Sequence, residues 1–358
     1  MNLRSLILLP GMVSLLSATE WDLKGQLSFS GTAWESAGIW YGSAGLQYIS
    51  NLQISRPFSR AHFMDFELAF YGFLNQEAGR YRDDIRPYRL NLRYAAPQSE
   101  IQLGLQKINF GPAQLLRALM WFERQNPTDP LNIAEGVWGL RYRYIFLSNA
   151  NIWLWGLYGN GDAKGLETYG SVKDVPEFGG RVQTPVPMGE MAVTFHTRSI
   201  NYLPDNVREN RIALDGRWDI VVGVWFEALA QHQKIAAPYH YTKMLTLGLD
   251  YTFDIGNGLY FVGEHMINQL ANEFHESDQK AQLSAMMLNY PLGLFDNLVL
   301  MTFYSWKTDD VIQYISWQRS YDKIMLNLAL FHFPDIQLST INTFGSDVGI
   351  RLMIIYNH

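Results

Sequence analysis

Pairs of arginines at alternating positions are the residues best suited to do chemistry in this chain. Arg89 lies four positions before Arg93, and Arg141 lies two positions before Arg143. The guanidinium is always charged, and its planar fork matches a carboxylate or a phosphate. Alternate residues of a strand point to the same face. Each pair would therefore present two positive charges on one surface, as a site for small anions requires.

A second group of residues could support nucleophilic catalysis. His275 and Ser277 form a His-x-Ser pair, and Asn289 follows further along the chain. In a hydrolase, His275 would be the base, Ser277 the nucleophile and Asn289 the group that orients the histidine. The histidines show no metal-ligand spacing, the chain has no cysteine, and no phosphate-binding glycine loop occurs. We predict neither a metal site nor a cofactor.

The elements that position these residues have the period of β-strands. From Glu20 onward, short segments alternate apolar and polar residues and end in turn clusters. In residues 88–94 the tyrosines and leucines share one face, and the arginines share the other. About 18 such strands can be counted, and about 16 is compatible, because boundaries inferred from sequence slip by two to four residues. Tyrosines and tryptophans near strand ends, with Trp153 and Trp155 among them, suggest a girdle at a membrane interface.

Composition narrows the class of protein. The chain has 358 residues, a formal charge of -6, 17% charged and 14% aromatic residues, against about 25% charged residues in soluble domains. The negative charge disfavours nucleic-acid binding, and the aromatic content excludes a disordered chain. The longest apolar stretch, Leu6 to Leu16, is too short for a spanning helix. A closed transmembrane antiparallel β-barrel fits best. A soluble β-sandwich or propeller would also explain the alternation. Soluble surfaces favour lysine, however, and only 9 of the 28 basic residues here are lysine.

The N-terminal residues resemble a secretory signal. Arg4 supplies a positive charge, Ser5 to Leu16 a short apolar region, and residues 17–19 the small side chains of a cleavage site. We therefore expect residues 1–18 to be a signal peptide. The remainder, 19–358, is expected to form a single barrel domain, since no linker interrupts the strand rhythm.

One segment, residues 107–136, breaks the two-residue period. Pro112 suits a first helical turn, and the apolar residues from Leu115 to Phe122 follow helical spacing. The run Asn126 to Pro130 would end the helix. Connections this long are usually functional. We expect a partly helical segment that folds into the barrel and constricts it, and a loop packed on the rim is the alternative.

Residues 104–111, GLQKINFG, and Asn126-Pro127-Thr128-Asp129 together resemble a pattern of outer-membrane porins. Alginate-export-type and substrate-specific porins are similar, and phosphate-selective porins more loosely so. The resemblance covers about 30 residues and implies roughly 16 to 18 strands with this loop inside the barrel. Such barrels usually end on an aromatic residue that the barrel-assembly machinery reads. Here Tyr356 is followed by Asn357 and His358.

These observations predict an outer-membrane channel for passive diffusion of small solutes, with a lean toward anions. Its partners would be outer-membrane lipid, lipopolysaccharide, the barrel-assembly machinery and the solutes, whereas the oligomeric state stays open. The alternative for the arginines is that they only pair with carboxylates in the lumen. The predicted pore-lining and constriction residues are Arg89, Arg93, Arg117, Arg124, Arg141, Arg143, Arg181 and Asp129.

Two other functions remain as hypotheses. A closed structural or receptor barrel would have the same strand pattern. Third comes a lipid hydrolase, because outer-membrane phospholipase A also carries a His-x-Ser pair. That family's motif continues Ser-Asn-Gly, whereas Asp278 and Gln279 follow Ser277 here. A motif outside its context carries little weight, and we expect no enzymatic activity.

Overall fold

The computed structural model describes residues 19–77, 79–123, 125–202, 204–235, 239–334 and 347–358. The predicted signal peptide, residues 1–18, lies outside the described residues. Within the described ranges, no helix is long and apolar enough to cross a membrane.

The described chain forms strands joined by turns and loops. The strands are β1 Glu20–Ser36, β2 Ile39–Ser59, β3 His62–Glu77, β4 Arg80–Ala95, β5 Ser99–Gln106, β6 Val137–Ile145, β7 Asn151–Leu157, β8 Glu177–Val186, β9 Gly189–Tyr202, β10 Asp205–Asp219, β11 Gly223–Gln233, β12 Tyr241–Phe253, β13 Leu259–Ala271, β14 Gln279–Pro291, β15 Asp296–Ser305, β16 Asp310–Ser320, β17 Ile324–Phe333 and β18 Asp347–Asn357.

The strands form one 18-stranded sheet that closes on itself. Each strand pairs antiparallel with the strands before and after it in sequence, and β1 pairs with β18 from Gln26↔Asn357 to Glu35↔Val348. Closure leaves no sheet edge, which a spanning sheet in lipid requires. The predicted all-β barrel of about 18 strands is therefore confirmed, and the smaller count is wrong.

Alternation along the strands separates an outer apolar face from an inner mixed one. In β18, Ile350, Leu352 and Ile354 are exposed outside, whereas Arg351 and Met353 are buried inside. The prediction that Trp153 and Trp155 belong to the outer aromatic girdle is wrong. Trp155 is 4% exposed and stacks on Phe110 of the inserted residues 107–136, and Trp153 shares its face. In β7 the inner face is thus aromatic, so residue type alone assigned it to the wrong side.

The predicted helix between β5 and β6 does not form. Residues 107–136, called the inserted segment below, lie between the last residue of β5 and the first of β6, and their described part is irregular chain. A helix would bond each backbone N–H to a carbonyl four residues earlier. Here several of those N–H groups donate to carboxylates of the barrel wall instead. Side chains of distant strands therefore outcompete the local helical pattern.

Gly104 shows how tightly β5 packs before the inserted segment. Its φ is +115°, a region that residues with a Cβ rarely adopt, and a Cβ there would overlap the Leu90 carbonyl of β4. We predict that Gly104→Ala destabilises the folded barrel by about 1–3 kcal/mol. The measurement is the temperature at which the heat-modifiable band converts on a detergent gel. Gly31→Ala is the control, since a Cβ there meets nothing within 4 Å. Equal transition temperatures would contradict the prediction.

Candidate pore constriction

The inserted segment crosses the barrel lumen and docks on Glu264 of β13. The carboxylate accepts backbone N–H groups of Gln114 at 2.7 Å, Leu115 at 3.0 Å and Leu116 at 2.5 Å. The indole N–H of Trp225 donates to it at 3.1 Å. Because β13 lies eight strands from β5 in a ring of 18, the segment reaches the far side of the wall.

A second carboxylate, Glu227 of β11, holds the same stretch. It accepts the backbone N–H groups of Ala113 at 3.0 Å and Leu119 at 2.9 Å. Gly111 makes this approach possible, because its φ is +92° and a Cβ would overlap the carboxylate. Two buried carboxyl groups thus have backbone N–H donors rather than side-chain cations as their hydrogen-bond partners.

Arginines hold the other end of the segment. Arg351 of β18 donates to the carbonyl of Thr128 at 2.7 Å, and Arg89 of β4 donates to the carbonyl of Ala134 at 2.8 Å. Arg86 pairs with Glu135 at 3.0 Å. The predicted pore residue Arg89 therefore positions the segment, and the segment has wall contacts at both ends.

Within the segment, Arg117 has one ionic and two amide partners. It pairs with Glu123 at 3.0 Å, donates to Gln125 at 2.7 Å and also to Asn109. Lys107 contacts the same Glu123 carboxylate at 3.2 Å. Arg117 therefore stabilises the segment's own fold. The other arginine predicted here, Arg124, lies outside the described residues.

Two of the predicted arginines meet on one carboxylate. Arg93 of β4 and Arg141 of β6 bind Glu100 of β5 at 2.7 and 2.8 Å, and Arg93 also binds Asp65 of β3 at 2.9 Å. The four side chains form a ladder across neighbouring strands on the inner face. Glu100 was not among the predicted residues, although alternation with Gln102 would have assigned it to this face.

Arg181 of β8 is buried in a bidentate pair. It donates to both carboxylate oxygens of Asp215 in β10 at 2.6 and 2.7 Å, and its guanidinium lies 5.3 Å from the Phe110 ring. Arg143 differs from it. No carboxylate lies within 4.0 Å of Arg143 in the described part of the chain, and its guanidinium lies 5.0 Å from the Trp153 ring. Arg89 also lacks a carboxylate partner in the described residues, but its guanidinium donates to the carbonyls of Tyr88 and Ala134.

Asp129 lies between two turns of the inserted segment, which begin at Asn126 and at Asp129 itself. Burial raises the pKa of its carboxyl group, although the backbone N–H groups of Leu131 and Ile133 and the charge of Arg351 act in the opposite direction. The N–H of Leu131 donates to it at 3.1 Å. Asp129 therefore caps the turn that it begins, residues 129–132, and lines a cavity described below.

Sequence reasoning missed a second insertion, residues 158–176 between β7 and β8. Its Lys164 pairs with Glu177 at 3.0 Å, and its Glu167 binds Arg198 and Arg211 at 2.9 Å each. The N–H of Leu166 donates to the Met120 carbonyl at 3.2 Å, so the two insertions pack together. No hydrophobic period marks these residues, and their charges resemble those of an exposed loop.

The candidate hydrolase residues are not brought together. His275 and Ser277 lie in the exposed loop between β13 and β14, whereas Asn289 lies near the other end of β14. Ten residues of strand separate Gln279 from Asn289, a distance of about 30 Å at 3.3 Å per residue. The same loop holds Glu273, His275 and Glu276, whose potential ligand atoms lie within 4.8 Å of one another. All three side chains are exposed, and exposed clusters that contain acidic groups are common without a bound metal.

A cavity of about 680 Å³ lies between the two insertions and the wall from β10 to β15. We call it the chamber. Its walls include Arg117, Asp129, Glu209 and Arg211. On the wall side, methionines, leucines and Phe303 line it. The chamber is within the size range of small-molecule sites.

Comparison with known proteins supports the fold. No protein-family model matches the chain, and no curated protein matches it. Among solved structures, Salmonella typhi OmpF in complex with daunomycin is 12% identical with a TM-score of 0.58, over 96% of this chain and 99% of that one. An anion-selective porin from Comamonas acidovorans is 11% identical with a TM-score of 0.52, over 95% and 100%. Pseudomonas aeruginosa OccK5 is 11% identical with a TM-score of 0.57, over 96% and 98%.

The chain therefore has the barrel fold of outer-membrane porins. None of these three proteins is named as an alginate-export or phosphate-selective porin, so that finer resemblance stays a prediction.

The Glu264→Gln variant tests whether this carboxylate anchors the inserted segment. In Glu264→Gln, one of the two acceptor oxygens becomes an NH2 group that faces two of the present N–H donors, at a cost of about 1.5–3 kcal/mol. We expect a cysteine introduced at the buried Ala118 to react with maleimide at least about tenfold faster in this background. The natural chain has no cysteine, so the label reports one site.

Glu273→Gln in the exposed β13–β14 loop is the matched control and should leave the labelling rate unchanged. If Glu264→Gln also leaves it unchanged, the carboxylate does not anchor the segment.

Proposed function

We propose that this protein is an outer-membrane channel for the passive diffusion of small solutes. One observation carries the proposal, namely a closed barrel with an apolar outer face and an inserted segment bound across its charged lumen. The porin structures with the same fold support the proposal.

The same proposal includes how the chain reaches the membrane. Residues 1–18 would direct export, and residues 19–358 would insert with the barrel-assembly machinery among outer-membrane lipid and lipopolysaccharide. The backbone of His358 exchanges hydrogen bonds with Gly25 at 2.8 and 2.9 Å, and its ring stacks on Tyr48 at 6.0 Å. His358 thus continues the pairing of β18 with β1 by one residue.

Single-channel recording in a planar bilayer tests the proposal. We expect the natural protein to give small stepwise currents, and deletion of residues 115–124 to increase the conductance, because the segment occupies the lumen. Deletion of residues 273–277 from the exposed loop is the control and should not change the step size. No steps from folded, heat-modifiable protein, with or without the segment, would contradict the channel.

We attribute the proposed preference for anions to Arg143 and not to all the arginines of the lumen. Arg93, Arg141 and Arg181 each contact a carboxylate, so their charge is largely compensated toward a passing solute. Arg143 projects from the inner face of β6 without such a partner in the described residues. Uncompensated charge at the wall of a pore sets its ion selectivity.

Replacing Arg143 should therefore shift ion selectivity. A unit charge about 8 Å from an ion in water contributes about 0.5 kcal/mol, a factor of about two. We expect Arg143→Gln to lower the anion-to-cation permeability ratio by about that factor, as read from the reversal potential in a salt gradient. Arg82→Gln at the exposed end of the β3–β4 hairpin is the charge-matched control. Equal reversal potentials for both variants would reject the anion lean.

A closed barrel is the second candidate function, and one observation favours it. The inner face from β14 to β17 is a hydrophobic core that includes Ala285, Phe303, Ile312 and Phe331, and Leu116 of the inserted segment packs against it. Such a core excludes water from part of the lumen. A structural or receptor barrel would keep its lumen closed, and it would give no current in the recordings above.

A further inference from the structure

The chamber lining combines an apolar patch with polar groups. The apolar patch comes from β12 to β15 and carries Met244, Met266, Leu283, Met287, Met301 and Phe303. A water-filled pore for ions would be lined mainly by polar groups. Here five of the chain's 13 methionines line one cavity, if Met120 of the inserted segment is included. Methionine is flexible and polarizable and adapts its surface to varied apolar ligands.

The rest of the chamber lining is polar but rich in uncharged groups. Its amides come from the inserted segment, with Gln114 and Gln125, and from β11, with Gln231 and Gln233. Together with Asn268 of β13, they provide donors and acceptors without net charge. The side-chain oxygens of Gln233 and Asn268 accept no hydrogen bond from the described residues. A solute hydroxyl group could satisfy such an amide after rotation of the side chain.

The charges that face the chamber are compensated within the protein. Arg117 pairs with Glu123, and Arg211 pairs with Glu209 at 2.6 Å. Asp129 is close enough to Arg351 for their charges to interact. An ion entering the chamber would lose hydration without finding an uncompensated counter-charge, which is unfavourable. An uncharged solute avoids this cost.

We infer that the chamber binds an uncharged solute with an apolar body and hydroxyl groups, such as an aryl glycoside. Its apolar body would lie against the methionines of β12 to β15, and its hydroxyl groups would bond to the amides of β11 and the segment. The inference rests on the proposed channel, since it names the class of solute that the constriction would favour. The inference is separate from the proposed preference for anions, which concerns Arg143 on β6.

The test is calorimetric titration of the full mature chain, folded and held in amphipol, with three probes. Phenyl β-D-glucoside has the apolar body and the hydroxyl groups, glucose lacks the apolar body, and benzoate has the body with a charge. We expect phenyl glucoside to bind at least about tenfold more tightly than the other two. Tighter binding of benzoate or of glucose, or no binding of phenyl glucoside, would overturn the inference.

Substitutions place the binding in the chamber. Met266→Gln and Met287→Gln keep the side-chain length but remove apolar surface, and each should weaken phenyl glucoside binding by about tenfold. Met188→Gln, in the exposed turn between β8 and β9, is the matched control and should bind as the natural protein does. Unchanged binding in both chamber variants would contradict the assignment.

Bilayer recordings with the same probes separate the two proposals. Current steps that phenyl glucoside blocks, and that glucose leaves unblocked, would support both. Current steps without calorimetric binding would leave the channel standing and overturn the chamber site. Calorimetric binding by a silent protein would overturn the channel and keep the chamber as the ligand site of a closed barrel.

Discussion

The need to satisfy every backbone hydrogen bond shapes this protein at two levels. In the wall, it is met by closing the sheet through the β1–β18 pairing, so that the described strands have no open edge toward lipid. In the lumen, it is met by Glu227 and Glu264, which accept the N–H groups of the inserted segment. The barrel thus supplies acceptors both to itself and to the chain that crosses it.

The hydrogen bonds from the inserted segment to Glu227 and Glu264 explain why this segment divides the lumen. Holding residues 113–119 against β11 and β13 brings Leu115 and Leu116 to the apolar wall of β14 to β17. It brings Phe110, Trp121 and Phe122 to Trp155 and His196 on the other side. The two carboxylates therefore position both hydrophobic clusters, and the chamber is the space left between them.

The arginines of the lumen share a small number of carboxylates. Arg93 and Arg141 share Glu100, whereas Arg198 and Arg211 share Glu167 and Glu209. Buried ions need partners of opposite charge, so most lumen arginines stabilise the fold before they can act on a solute. The features most relevant to selectivity are therefore the few exceptions, such as Arg143, and the chamber, whose lining charges are compensated within the protein.

The sequence by itself determined the barrel and the limits of the interruption between β5 and β6. Both follow from a two-residue period, which depends only on neighbours along the chain. It also assigned Arg89, Arg93, Arg141, Arg143 and Arg181 to the inner face. It did not determine which carboxylates those arginines meet, that residues 115–122 are not helical, or that the second insertion enters the lumen. Only the tertiary structure decided these features, because each depends on groups from strands on opposite sides of a closed ring.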